Sequence, residues 1–299
     1  MTYYGKRQGK KIINLAGNAP NYVFHLIKKN KIECDSFQAG WIQASVGNRG
    51  LATDTELYRQ WSNYDAPVQL LSSSEIASLL GSSYYTGGFL DKRGGKLHPL
   101  KFVKGIATAA QGKGVQFFQK TEVRGIVKGN EGYTVSSSLG NFFSDKVVLA
   151  TNAYGTSDNR TLNRNIIPVQ SIQVATNPLS DNLLKTIIPA GHVVSDNRRL
   201  LKYFRLAENG RLLMGGRGGT SNRSIAEQFS ELKVHVTTMF PALSEVNFDY
   251  AWGGNIALTH DHFPQIAELD DGFVSLSGFN EHKSLLNSSG NIGITLCEK

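Results

Sequence analysis

Apolar residues recur at helical spacing in five parts of the chain. The pattern predicts helices over about 12–29, over 54–61, from Ser72 through the 76–80 stretch, from Pro99 to about 110, and after Asn222. Pro20 falls inside the first of these helices, where it removes a backbone donor, and it predicts a kink or break near Ala19.

Strand-like runs occupy the middle and the second half of the sequence. They cover residues 115–119, 121–127, 133–137, 142–150, 166–176, 192–195, 200–206, 211–215, 246–251 and 273–277. The run 146–151 holds four consecutive apolar residues, Val147–Ala150, which predict a strand buried on both faces. Strands and helices do not alternate strictly, so the predicted fold class is mixed α/β (α+β) with antiparallel strands.

Length and composition describe an ordinary globular chain. It has 299 residues, 40% of them hydrophobic and 19% charged, which suits one large domain or two smaller ones. No apolar run approaches the roughly 18 residues of a membrane helix. The first eleven residues lack the hydrophobic stretch of a signal peptide, and Cys34 and Cys297 form no C-x-x-C pair. We therefore expect a cytoplasmic protein without a membrane span.

The net charge of +8 is partly concentrated near the start of the chain. Residues 6–31 carry seven lysines and arginines and no acid. Two interpretations stay open, a basic arm for nucleic acid or an anionic membrane surface, and a solvated helix face. The second is the commoner use of such a run, and we expect no nucleic-acid partner.

The motifs of several enzyme classes are absent from the sequence. It contains no G-x-G-x-x-G, no P-loop, no H-E-x-x-H and no G-x-S-x-G. His260 and His262 could share one strand face, but no third ligand accompanies them, so we expect no metal site. Glycine clusters predict tight turns or close backbone approach; they are Gly94-Gly95, residues 215–219, Gly253-Gly254 and Gly278. Arg205 and Arg217 can form a fork with a carboxylate and are the candidate anion ligands, with a structural salt bridge as the alternative.

Several ordered segments resemble the FAD-dependent oxidoreductases of the D-amino-acid oxidase family. Within it the sequence is similar to the group of glycine and sarcosine oxidases and gamma-glutamylputrescine oxidoreductase, the last most of all. The resemblance covers roughly residues 10–280. Its motifs are Gly94-Gly-Lys-Leu-His-Pro99, Val147-Val-Leu-Ala-Thr-Asn-Ala-Tyr-Gly155, Tyr203-Phe-Arg-Leu, Arg211-Leu-Leu-Met-Gly-Gly-Arg217, Trp252-Gly-Gly, Asp261-His-Phe-Pro264 and Gly278-Phe-Asn280.

The resemblance implies an enzyme that oxidises an amino group of a small amine or amino acid by hydride transfer to flavin. It places FAD against Val123, Ala150, Thr151, Gly278, Phe279 and Asn280. It places the substrate near Arg217, with Tyr203 and Trp252 as further candidates. No residue is identified as a general base, and the sequence leaves the oligomeric state open.

Two departures from the family pattern concern the flavin. The sequence lacks the family's opening strand, G-x-G-x-x-G and helix, and its text after Asn280 differs from the family's final helix. We therefore expect a truncated, Rossmann-like FAD-binding region with a weakened hold on FAD, interleaved with an antiparallel-sheet substrate domain. The remnant FAD-binding region is predicted at 1–40, 94–158 and 253–299, and the substrate-binding region at 41–93 and 159–252. The alternative is a non-catalytic remnant that binds a small amino compound or nothing.

Overall fold

The computed structural model describes residues 5–155, 166–218, 224–260 and 263–279. Its α-helices are α1 Gly5–Lys29, α2 Gly47–Ser62, α3 Ser73–Leu80, α4 Pro99–Gln111, α5 Asp181–Leu184 and α6 Ile225–Met239, with short 3-10 helices at Asn152–Tyr154 and Pro241–Leu243. Its strands are β1 Trp41–Ser45, β2 Val68–Leu71, β3 Gly87–Asp91, β4 Val123–Gly129, β5 Gly132–Ser137, β6 Gly140–Ser144, β7 Val147–Leu149, β8 Ile166–Thr176, β9 Val193–Asp196, β10 Lys202–Leu206, β11 Leu212–Arg217, β12 Phe248–Thr259, β13 Gln265–Asp270 and β14 Phe273–Ser277.

Eight strands form the largest sheet, in the order β12-β8-β11-β10-β9-β1-β3-β2. One interior pair, β1 and β9, is parallel, and the pairs β8–β11, β10–β11, β9–β10, β1–β3 and β2–β3 are antiparallel. Two three-stranded sheets have the orders β13-β14-β7 and β4-β5-β6. The expected mixed α/β class with an antiparallel-rich sheet is confirmed.

The eight-stranded sheet has an apolar face and a polar face, because side chains alternate along each strand. The apolar face packs on α3 and α6 and forms one hydrophobic core that includes Ile42, Val194, Phe204 and Met214. The cluster also contains Leu232, Val236 and Met239 of α6. We refer to the opposite side, which bears Gln43, Ser195 and Tyr203, as the polar face.

Contacts divide the chain into two compact units. The first unit combines the residues up to Gly105 with Val169–Gly254, and the second combines Ile106–Pro168 with residues 255–279. These units are defined by contacts within the chain, whereas the sequence analysis predicted an FAD-binding region and a substrate-binding region. The division into those two functional regions stays a prediction.

Most predicted helices are present, and their ends follow recognisable signals. Ser72 caps α3 in a capping box with Glu75, and Ser224 caps α6 in the same way with Glu227. Asn222, the predicted start of α6, lies outside the described residues. The predicted kink or break near Ala19 is wrong as to the break, because α1 runs through Pro20, and the kink stays a prediction. Burial of Ala16, Ala19, Pro20 and Val23 on one side of α1 compensates for the missing backbone donor.

Two strand predictions fail in the second unit. Residues 115–119 form turns and irregular structure instead of a strand. The run 146–151 is not buried on both faces, because β7 is an edge strand and its Val148 is 59% exposed. Continuous hydrophobicity predicts burial only where neighbouring elements cover both sides of a strand, and no described element does so here.

The basic residues near the start of the chain lie on exposed positions of α1 and just after it. Gly9, Ala16, Ala19 and Val23 are buried on the other side of this helix. The arrangement is that of a solvated helix face, whose binding to nucleic acid stays untested. Among the described residues, none of the helices combines the length and the apolar character required to cross a membrane.

Candidate functional site

The polar face of the first unit holds two of the predicted substrate residues. Tyr203 of β10 pairs with Gly215 of β11, and Arg217 lies two residues further along β11, so both side chains belong to the same face. The Tyr203 hydroxyl and Ser171 Oγ are hydrogen-bonded at 2.6 Å. Ser171 is the register partner of Arg217 across β8 and β11. The sequence prediction that grouped Tyr203 with Arg217 is consistent with this register, and their roles remain predictions.

Trp252 joins the same face by strand alternation. A Cβ on Gly253 would lie 3.1 Å from Cγ2 of Ile172, whose side chain belongs to the hydrophobic core. Position 253 therefore faces the apolar side of β12, and its neighbour Trp252 faces the polar side. Trp252 is 41% exposed, so its indole is available to a ligand.

Position 215 requires glycine, because the ring of Tyr203 lies directly over its Cα. A Cβ at this position would overlap the ring and hydroxyl of Tyr203. A similar restriction applies at Gly94, where a Cβ would lie 2.8 Å from the backbone nitrogen of Trp41. The prediction that glycine clusters mark close approach is confirmed at both positions, and at Gly215 the absent side chain fixes the place of a candidate site residue.

The other half of the polar face is already occupied by protein groups. Asp54 of α2 is fully buried and accepts hydrogen bonds from Gln43, from Ser45 Oγ at 2.6 Å and from Asn197 Nδ2 at 2.9 Å. Trp41 Nε1 donates to Ser195 Oγ at 3.0 Å. These bonds satisfy the buried polar atoms under α2. The half-buried side chains of Tyr203 and Arg217 lie beyond this network, toward β8 and β11.

The second unit brings four of the predicted cofactor residues to one place. β7 and β14 are parallel, with Leu149 opposite Ser275. Ala150 and Thr151 follow the carboxyl end of β7, and Gly278 and Phe279 follow the carboxyl end of β14. Crevices outside the carboxyl ends of parallel strands are the usual ligand sites of α/β sheets.

Asn152 ties these two strand ends together. Its Oδ1 accepts hydrogen bonds from the backbone nitrogens of Gly278 at 3.1 Å and Phe279 at 3.3 Å, and its Nδ2 donates to the Phe279 carbonyl at 3.3 Å. Asn152 has a φ of 48° and Gly278 one of 76°, both in the left-handed region. The sequence analysis did not single out Asn152, although an asparagine directly after an apolar strand is a signal for such a turn.

The remaining cofactor candidates lie elsewhere. Val123 begins β4 in the β4-β5-β6 sheet and is 52% exposed, so it belongs to a different sheet from Ala150 and Gly278. Asn280 lies outside the described residues. His262 does too, and within the described ranges no three His, Cys, Asp or Glu residues are grouped as a metal would need.

The residues after β7 and β14 fit the approach of a large planar cofactor. Ala150 and Thr151 are exposed, and the Asn152 side chain is hydrogen-bonded to the backbone of Gly278 and Phe279, so the two strand ends are joined without a ligand. A Cβ on Gly278 would overlap Cγ2 of Thr259, so this backbone lies close to its neighbour and presents no side chain. A diphosphate would need a further cradle, because the sequence lacks G-x-G-x-x-G.

Comparison with known proteins identifies the family. Residues 1–289 match the family model described as DAO, FAD dependent oxidoreductase. A probable oxidoreductase, OrdL, of Haemophilus influenzae is 30% identical over 284 residues, which is 93% of this chain and 65% of that protein. Gamma-glutamylputrescine oxidoreductase of Escherichia coli K12 is 29% identical over 282 residues, which is 93% of this chain and 66% of that protein. The chain thus spans just under two thirds of the length of these relatives.

Solved structures show the same fold at lower identity. Glycine oxidase from Geobacillus kaustophilus superposes with a TM-score of 0.75 at 18% identity, over 94% of this chain and 76% of that one. L-proline dehydrogenase from P. horikoshii gives a TM-score of 0.75 at 21% identity, over 91% of this chain and 74% of that one. The family resemblance of the sequence motifs is confirmed: this chain belongs to the DAO family of FAD-dependent oxidoreductases.

Proposed function

We propose that the protein takes part in FAD-dependent oxidation of an amino group on a small amine or amino acid. The observation that carries the proposal is the paired strand ends of β7 and β14, held by Asn152 and followed by exposed backbone. The names of the relatives support the substrate class, because one acts on gamma-glutamylputrescine and a structural neighbour is a glycine oxidase. The expectation that the sequence begins after a dinucleotide-binding unit stays a prediction.

Within this proposal the second unit contributes the cofactor site. Ala150, Thr151, Gly278 and Phe279 would hold FAD through backbone groups, and Asn152 would position both segments. The chemistry that FAD supplies when bound is acceptance of two electrons from the carbon next to an amine. Val123 is a candidate for a separate contact with the adenine side.

The first unit contributes the substrate residues. Arg217 can bind a substrate carboxylate with two parallel hydrogen bonds, because its guanidinium presents a planar fork of donors. Tyr203, fixed by Ser171 and by the absence of a side chain at Gly215, offers a hydroxyl at a defined position on the same face. Trp252 supplies an exposed apolar surface against which the substrate's carbon chain can pack.

The cofactor part of the proposal is tested with the full chain, excess FAD and desalting. We expect flavin absorption to stay with the protein, and slower hydrogen exchange in residues 147–154 and 273–279 when FAD is present. Asn152→Ala should lose most of this retained flavin, whereas Asn141→Ala, on the exposed strand β6, should not. A protein that stays flavin-free and shows no change in exchange would overturn the claim that this chain is itself an oxidoreductase.

The substrate part is tested by kinetics on a panel of amines and amino acids. Arg217→Gln should raise KM for carboxylate-bearing substrates by about tenfold or more, because a charge-assisted pair is lost. Arg124→Gln, a change of the same kind on an exposed position of β4, is the control. An unchanged KM in Arg217→Gln would remove this residue from the substrate site.

A further inference from the structure

One face of α1 carries positive charge near both ends of the helix. Successive residues of an α-helix are rotated by about 100°, which brings all its lysine and arginine residues within an arc of about 140°. These residues, which we call the basic face, are exposed; they are Lys6, Arg7, Lys10, Lys11, Lys28 and Lys29. The buried side of the helix, with Ala16, Ala19 and Val23, lies opposite.

The charges of the basic face act against the helix that carries them. Lys6 and Lys10 are four residues apart, as are Arg7 and Lys11, and like charges at this spacing destabilise a helix. All four lie in the first two turns, where the helix dipole is positive, and α1 contains no acidic residue. Exposure to water alone does not require this arrangement, so it favours an anionic partner that relieves the repulsion.

The protein itself supplies no such anion in the part of the chain that the structure describes. There, none of the six cations forms an ion pair. Acids of neighbouring segments are engaged elsewhere. Asp91 accepts a hydrogen bond from Arg93 Nε at 2.9 Å, and Arg93 also donates to the Gly17 carbonyl of α1 at 3.2 Å. Asp35 accepts one from Lys101 Nζ at 2.7 Å.

The layout of the basic face suits an extended surface. Its charges form two groups, residues 6–11 and residues 28–29, about 30 Å apart along the helix axis. The exposed positions between them are Asn14, Leu15, Asn18, Asn21 and His25. None of these is Phe, Tyr or Trp, the side chains on which the bases of a single-stranded nucleic acid stack. A planar anionic surface can contact both groups of charges together.

We infer that the basic face holds the protein on the surface of a bilayer that contains anionic lipid. The apolar side of α1 is buried in the protein, so the contact is electrostatic and needs no insertion of the helix. Each lysine or arginine near such a surface strengthens binding by about fivefold. The inference does not depend on flavin binding or on the proposed oxidation.

Cosedimentation of the full chain with lipid vesicles tests the inference. We expect binding to phosphatidylcholine vesicles that contain about 30% phosphatidylserine, no binding to phosphatidylcholine alone, and weaker binding at higher salt. A variant that combines Lys6→Gln, Arg7→Gln, Lys10→Gln and Lys11→Gln should bind about 100-fold more weakly or worse. Because glutamine is a good helix former and these positions are exposed, the variant should keep its fold, which circular dichroism checks.

A matched control separates the basic face from the net charge. It combines Arg49→Gln, Lys113→Gln, Lys120→Gln and Lys185→Gln, which remove the same four charges from exposed positions outside α1. This variant should bind anionic vesicles nearly as tightly as the wild type. An equal loss of binding in the two variants, or no binding of the wild type, would overturn the inference.

Acetylation of lysines, read by mass spectrometry, locates the contact. Anionic vesicles should slow the modification of Lys10 and Lys28 and leave that of Lys113 unchanged. Equal slowing at all three lysines would contradict a contact through α1. Duplex DNA added at the same phosphate concentration should not displace the protein from the vesicles. Displacement by this DNA would overturn the assignment to a bilayer and assign the basic face to nucleic acid.

Discussion

The two contact-defined units differ in where their apolar side chains lie. The main hydrophobic cluster belongs wholly to the first unit and includes the fully buried Ile42, Ile76 and Met214. In the described part of the second unit, the buried hydrophobic side chains are Tyr133, Ala257 and Leu258. The described part of the second unit also holds the larger share of the exposed large hydrophobic side chains; they include Val115, Phe117, Phe118, Val127, Leu139, Phe143, Val148 and Ile266.

This difference in burial indicates which unit has the larger free energy of unfolding. Burial of apolar area is the main favourable term in folding, at about 25 cal/mol per Å². The first unit buries one face of an eight-stranded sheet under two helices, whereas the second holds two three-stranded sheets whose described faces are largely open. We therefore expect the first unit to be the stable part of the chain, and the second to gain most from a bound ligand.

The largest expected effect is in hydrogen exchange. Backbone amides paired within β10 and β11 should exchange at least ~100-fold more slowly than those paired within β4, β5 and β6, because the latter open with little apolar burial to oppose them. Mass spectrometry of peptides from both regions measures this ratio. Equal protection in the two regions would contradict the comparison.

A pair of phenylalanine substitutions sharpens the same comparison. Phe240 is 1% exposed and its ring packs edge-on against Phe204 at 5.5 Å, so Phe240→Ala should cost about 3–5 kcal/mol of unfolding free energy. Phe143 is 80% exposed on β6, and Phe143→Ala should change this free energy by less than about 0.5 kcal/mol. Urea denaturation followed by circular dichroism compares the two. A similar loss in both variants would show that β6 is covered in solution.

The contrast also explains how far sequence patterns could predict the fold. Patterns predicted α3, α4 and α6 well, because each has an amphipathic face and a recognisable cap or glycine stop. They failed at 115–119, where no strand forms, and in the predicted burial of β7, where Val148 is exposed. A run of hydrophobic residues forms a buried strand only where other elements pack against it. Those elements come from distant parts of the sequence, so a local pattern does not identify them.

For the candidate site, the sequence could identify residues by their chemistry but could not identify their hydrogen-bond partners. The family motifs pointed to Tyr203 and to Gly278, and their strands position both. Ser171 is hydrogen-bonded to Tyr203, 32 residues away in sequence, and Asn152 to Gly278, 126 residues away. No local sequence pattern predicts such contacts.

The smallest expected effect is a pH dependence confined to the first unit. His192 is 8% exposed, and burial lowers its pKa below the ordinary value of 6.5. The unfolded chain therefore binds the proton more readily than the folded one. The contribution of His192 to stability is complete above pH 6.5 and falls as the pH drops from 6.5 toward the folded-state pKa.

His192→Gln should remove part of the acid-side loss of stability, while leaving a modest cost of repacking at neutral pH. His25→Gln, on an exposed position of α1, should leave the pH profile unchanged. Urea midpoints measured at intervals from about pH 7 to about pH 5 give the two profiles. Because the expected loss arises from protonating a buried imidazole, it should affect the unfolding of β9 and β10 and leave the exchange of β4–β6 amides unaltered. A profile that is equally steep in His192→Gln and in the wild type would assign the acid sensitivity to other groups.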